Sequence, residues 1–126
     1  MKIIIAGSRT ITDEVKVSFI IANGLCKLLP EDERGAPVIF DCEIVSGTAS
    51  GVDKLGEKYA KDWSIKLKKF PADWGKYGKR AGYLRNKQMA EYADALILIW
   101  DGKSRGSQMM LELAKQYKLK IYEQIL

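Results

Sequence analysis

Three short apolar runs in this chain each end in a glycine-hydroxyl turn and pass at once into a helical pattern. That repetition restricts the fold to alternating strands and helices. Ile3-Ile4-Ile5 leads to Gly7-Ser8-Arg9, and Ile44-Val45 leads to Ser46-Gly47-Thr48-Ala49-Ser50-Gly51. Leu96-Ile97-Leu98-Ile99 leads to Gly102-Lys103-Ser104-Arg105-Gly106-Ser107. Strands joined by short helical crossovers lie parallel, with helices on both faces of the sheet. The expected architecture is an α/β, Rossmann-like three-layer fold, with a parallel sheet of about five strands in the order 3-2-1-4-5. In such a sheet ligands bind beyond the carboxyl ends of the strands, where the winding reverses.

The elements follow from local pattern. Lys2–Ala6 reads as a buried strand. Thr12 is expected to cap a helix whose first turn carries Asp13 and Glu14. Its apolar face is Val17, Ile20, Ile21, Leu25, Leu28 and Leu29, and Pro30 ends it. Pro37-Val38-Ile39-Phe40 reads either as an extra edge strand or as the start of the next one. Strands are expected at Glu43–Ser46, Ile65–Phe70, Ala95–Trp100 and Lys120–Glu123, and helices at Gly51–Trp63, Tyr83–Tyr92 and Ser104–Tyr117. Pro71–Gly82 reads as irregular. With 126 residues, 47% of them apolar, the chain is expected to form one domain, residues 1–126.

Composition narrows the class further. No run approaches the roughly 18 apolar residues of a membrane span. Strand-like sequence directly after Met1-Lys2 leaves no room for a signal peptide, so a cytoplasmic location is expected. Cys26 and Cys42 form no C-x-x-C and the chain has no histidine, so no metal site and no cofactor are expected. The two thiols are expected to be reduced and partly buried. Residues 54–87 hold 11 Lys/Arg against 3 Asp/Glu, within a chain of net charge +5. This excess reads as a solvated lysine face for most positions, or as an attraction for polyanions.

The turns carry the functional signal. Glycine lets backbone approach a ligand closely, and the amides of a helix start attract anions. Gly7, Ser8 and Arg9 supply a tight turn and a planar guanidinium suited to phosphate. Ser46, Gly47, Thr48 and Gly51 form a small-residue loop. Asp53 either stabilises its own helix start or meets a ribose hydroxyl or base. Asp73 and Trp74 follow the third strand and are expected over the pocket. Arg85 and Asn86 sit in the first turns of the next helix. Gly102, Ser104, Arg105, Gly106 and Ser107 make the third turn, read as a phosphate site, and Met109 and Met110 read as core fillers.

Gly7-Ser8-Arg9, Ser46–Asp53, Phe70–Gly75, Gly82–Met89 and Asp101–Ser107 together resemble the YspA-like branch of the SLOG superfamily of Rossmann-like domains. The resemblance spans nearly the whole chain except Glu31–Asp41. It implies binding of a nucleotide or nucleotide-derived small molecule, such as an ADP-ribose-like compound, to sense or sequester it. Two relatives imply alternatives. In the Lonely Guy nucleotide hydrolases, N-glycosidic cleavage uses an arginine, matched by Arg85, and a glutamate, whose position here holds Met110. Asn86 stands where that pattern has lysine, and Glu112 points to roughly the opposite side of its helix. The DNA-processing A proteins, which bind single-stranded DNA, carry a loop similar to Ile44–Asp53, so single-stranded nucleic acid is the third candidate partner. Relatives of this kind commonly self-associate, and a homo-oligomer is expected, with Tyr59, Trp63 and the Met-bearing helices as its candidate interface.

Overall fold

The computed structural model describes residues 1–36 and 42–126. The expected strand at Pro37–Phe40 falls outside the described residues. Five strands form one parallel sheet in the order β3-β2-β1-β4-β5. They are β1 (Lys2–Gly7), β2 (Glu43–Ser46), β3 (Lys66–Lys69), β4 (Ala95–Trp100) and β5 (Lys120–Ile125). The central pair is aligned from Ile3 opposite Ala95 to Gly7 opposite Ile99. Ile3, Ile4, Ile5 and residues 95–99 are sealed from solvent, as unbroken aliphatic runs between two helical layers must be. Strand β3 (KLKK) has the opposite character. It is exposed throughout, and its lysines disfavour pairing of this open edge with another chain.

Alternation of side chains divides the core in two. Ile3, Ile5, Ile44, Ile97 and Ile99 point to one face, where they pack with Val17, Ile21 and Leu25 of α1 (Glu14–Leu28) and with Val52 and Ala60 of α2 (Val52–Asp62). Ile4, Ala6, Val45, Leu96 and Leu98 point to the other face. There they meet Met89 and Ala90 of α4 (Ala81–Tyr92) and Met110, Leu111 and Leu113 of α5 (Arg105–Gln116).

Helix ends depart from the sequence reading at several points. Asp13, not Thr12, is the N-cap of α1: its Oδ1 accepts from the Lys16 amide at 3.1 Å. Helix α1 stops at Leu28 because Leu29, ahead of Pro30, is driven to extended backbone (ψ 150°), while its N–H still closes on the Leu25 carbonyl. The segment expected to be irregular contains a short helix, α3 (Trp74–Tyr77), capped by Asp73 through a 3.0 Å bond from the Lys76 amide. A 3-10 turn at Gly78–Arg80 then leads into α4, which starts at Ala81 rather than Tyr83. Gly78, at φ +57°, makes the break between them.

The cysteines are free and differ in setting: Cys42 is buried, Cys26 exposed. Partial burial of both was the expectation; the α1 surface leaves Cys26 open, and the core closes over Cys42. Burial pushes the Cys42 thiol up to about 11. A thiol-reactive dye should therefore label one cysteine per native chain quickly and the second only on unfolding, which a time course with and without denaturant would read. Two fast thiols would contradict this packing. Among the described residues no helix is long and apolar enough to cross a membrane.

Candidate functional site

Strands β1 and β4 are neighbours, but the chain leaves them toward opposite faces, into α1 and α5. That divergence opens a crevice at their carboxyl ends. It contains a cavity of about 220 Å³ whose wall includes Gly7, Ser8, Arg9, Thr10, Ala49, Asp53, Arg85, Asn86, Asp101, Ser104, Gly106 and Ser107. Ala6, Met89 and Met110 supply its apolar floor.

Two glycines bring the loops this close. A Cβ on Gly7 would lie 1.7 Å from the Ile99 carbonyl oxygen, so the end of β1 meets β4 without a side chain between them. Gly51 has φ +78°, and a Cβ there would fall 2.4 Å from the Ser8 carbonyl. The second loop thus rests directly on the first, and the Val52 amide reaches that same carbonyl at 3.4 Å.

One side of the cavity is a hydroxyl cluster. Ser8 and Ser104 Oγ are 3.0 Å apart, and Ser104 Oγ donates to Ser107 Oγ at 3.1 Å. Asp101 organises this side. Its Oδ1 accepts from the Lys103 and Ser104 amides at 2.8 and 2.9 Å, which holds its carboxyl below the usual range. The third turn is therefore partly self-satisfied, and the amides of its early residues are engaged by Asp101. Unengaged amides lie one step further on, in the first turn of α5. Among the described residues, no hydrogen bond uses the Arg105, Gly106 or Ser107 amides, and the Ser104 side chain does not cap them.

The other side is charged and buried. Asp53 is 4% exposed, and its Oδ2 accepts from the Ala49 amide at 3.3 Å. Burial raises its carboxyl to about 6, against the lowering effects of the Ala49 amide, of Arg85 and of the Gly7 amide. Arg85 donates Nε to Asn86 Oδ1 at 2.8 Å and Nη1 to the Gly47 carbonyl. Burial lowers the affinity of its guanidinium for the proton, Asp53 opposes that, and nearby Arg9 adds to it. Asn86 Nδ2 is 3.7 Å from the Met109 sulfur, which fixes the amide.

Of the residues singled out from sequence, Gly7, Ser8, Arg9, Asp53, Arg85, Asn86, Ser104, Gly106 and Ser107 line one cavity. Ser46, Gly47, Thr48 and Gly51 form its supporting frame rather than its wall. Ser46 Oγ is buried, donates to Glu57 Oε2 at 2.7 Å and accepts the Thr48 amide at 3.0 Å. Thr48 holds φ +64°, the bend that turns the loop over Ser46. Gly102, Arg105, Asp73 and Trp74 are off the wall. Asp73 is occupied in capping α3, and that helix carries Trp74 outward to an exposed position. Asp53 resolves as a group held by loop amides from two strands' ends, not simply by its own helix start. The sequence reading left Thr10, Ala49 and Asp101 out of the site; it read Met110 as a core filler from the residues themselves and as the occupant of the relatives' glutamate position from the resemblance. Asp101-Gly102 is a turn signal directly after a strand, and Met89 and Met110 lie three residues beyond Asn86 and Ser107, on the same helical faces. Glu112 points away and pairs with Gln108 at 3.2 Å on the exposed side of α5.

Residues 1–77, three fifths of the chain, match the family described as YspA, cpYpsA-related SLOG (YAcAr). The chain belongs to that SLOG family. Among functionally curated proteins no sequence matches it. The SLOG fold is shared with two solved structures of DNA processing protein A. That of Streptococcus pneumoniae has a TM-score of 0.69 at 19% identity, with 97% of this chain and 49% of that chain covered. That of Helicobacter pylori, described with a single-stranded DNA binding mode, has a TM-score of 0.60 at 21% identity, with 98% and 64% covered. The present chain thus spans about half to two thirds of those proteins.

Proposed function

We propose that the cavity binds the phosphate and sugar of a nucleotide or nucleotide-derived molecule. The observation that carries this reading is that Arg9 and Arg85, close enough to interact electrostatically, line one cavity with the buried hydroxyl and amide groups of Ser8, Ser107 and Asn86. The two guanidiniums repel each other across the cavity, and an anion bound there relieves that repulsion while taking up the α5 amides. Asp53 is the group within reach of sugar hydroxyls. At about 220 Å³ the cavity falls below the roughly 300–1,000 Å³ of pockets that enclose a whole drug-sized ligand. It suits a phosphate-ribose unit, with the rest of the molecule on the open side.

The same geometry favours binding over N-glycosidic cleavage through the relatives' glutamate. Met110 occupies that position and its thioether moves no proton, while Glu112 faces solvent. A second reading, single-stranded nucleic acid, is favoured by the cations of residues 54–87 and by the fold shared with DNA processing protein A.

Calorimetry with AMP, ADP-ribose, NAD and cyclic nucleotides tests the first reading. At least one should bind, and Arg85→Ala should weaken it about tenfold, the scale of one charge-assisted contact. Gly106→Val should block it without lowering the melting midpoint, because a Cβ at Gly106 meets nothing within 4 Å. A panel that shows no heat with the wild-type chain removes this reading.

A further inference from the structure

Outside the cavity, the most unusual surface is the segment that the sequence left irregular. Trp74, Tyr77 and Tyr83 are 53%, 43% and 44% exposed, large aromatic rings that the core does not use. They are interleaved with Lys76, Lys79, Arg80 and Lys87. No carboxylate among the described residues forms an ion pair with any of these four cations. Elsewhere in the middle third Lys54 and Lys69 meet Glu57, and Lys58 bridges Glu14 and Asp62. Arg80, the N-cap of α4, and Tyr83 and Lys87 within it recur at spacings of three and four and so share one face, with Arg80 and Tyr83 exposed and Lys87 half-buried.

This surface adjoins the cavity. A Cβ on Gly82 would lie 3.4 Å from Trp74 Cη2, so the indole lies against the first turn of α4. One turn further along the same helix, Arg85 and Asn86 enter the cavity wall. Lys76 Nζ stands 5.1 Å from the Tyr77 ring centroid, with cation and ring presented together.

We infer that Trp74, Tyr77 and Tyr83, with Lys76, Lys79, Arg80 and Lys87, form a shelf that binds a single-stranded polynucleotide running out of the cavity. Stacking on the rings is tolerant of sequence because every base has a π face, and the cations follow the backbone phosphates. The inference rests on the cavity reading for the nucleotide at the strand's end, and on the shelf alone for those beyond it. DNA and RNA share the required chemistry.

The experiment compares fluorescently labelled oligonucleotides of about 12 thymidines or uridines with AMP, for the wild-type chain, Trp74→Ala and the Arg80→Glu/Lys87→Glu double variant. The oligonucleotides should bind with log K falling against log salt at a slope of about −3, as four phosphate contacts on a single strand require. Trp74→Ala should weaken oligonucleotide binding about tenfold, and the charge-reversed variant should weaken it further and flatten the slope, with AMP affinity retained in both. AMP binding without oligonucleotide binding overturns the shelf and leaves the cavity reading standing. Oligonucleotide binding indifferent to both variants also overturns the shelf. Oligonucleotide binding sensitive to both variants but without AMP binding supports the shelf, and the cavity reading then falls if ADP-ribose, NAD and cyclic nucleotides fail to bind as well.

Discussion

Gly7→Ala should cost the fold about 3 kcal/mol or more, the upper range for a side chain forced into packed structure. A methyl group there would sit 1.7 Å from the Ile99 carbonyl oxygen and 2.9 Å from Val52 Cγ2. Neither neighbour has freedom to yield. The carbonyl belongs to the buried strand β4 and accepts the Ser8 amide at 3.1 Å, and Val52 is fully buried. The β1–β4 ladder must part at the point where the cavity begins, so the variant should lose stability and ligand binding together. Urea titration reads the first and calorimetry the second. Gly106→Ala is the matched control for stability, since its added methyl enters open space and should leave the urea midpoint unchanged. A Gly7→Ala chain with the wild-type midpoint would mean that β1 and β4 are not apposed at Ile99.

Asp53 should make the protein less stable as pH rises from about 4 to about 6. Its folded-state carboxyl titrates at about 6, above the ordinary 3.8, because burial penalises the charged form more than the Ala49 and Gly7 amides and Arg85 favour it. The sign follows from linkage. Below the unfolded value both states hold the proton and nothing is lost. Between the two values the unfolded chain ionises first and is favoured. Above about 6 the deficit levels off at about 3 kcal/mol. Other carboxyls, including Asp32 and Asp101, are held low and contribute the opposite slope, so the total alone is not diagnostic. The readout is the difference between the wild-type chain and Asp53→Asn, which should shift by about 3 kcal/mol in favour of the variant from pH 4 to pH 7. A difference independent of pH would show that Asp53 titrates normally and is not sealed in the folded state.

Much of this organisation was legible in one dimension. Unbroken aliphatic runs such as Ile3–Ile5 and Leu96–Ile99 carry their own reading as doubly covered strands, and helical crossovers then leave little choice of strand order. Gly7, Ser8 and Ser107 were visible because loops after such strands converge at one edge. The segment from Pro71 to Gly82 was not legible. Its four-residue helix is too short to show a period, and its existence depends on the Asp73 cap and the Gly78 break.

Sequence alone therefore determined the layers, the strand order and the edge at which a site forms, because hydrophobic periodicity and chain-crossing rules act along the chain. Only the tertiary structure decided how each polar residue is used. It sent Ser46 to Glu57 and Asp73 to a helix cap, committed Asp101 to its own turn, and set Asp53, Arg85 and Asn86 together in a cavity with Met110. A serine or aspartate carries the same donors and acceptors wherever it stands. Which partner it takes depends on distances of about 3 Å between segments far apart in the chain, fixed only when the glycines let the loops close on one another.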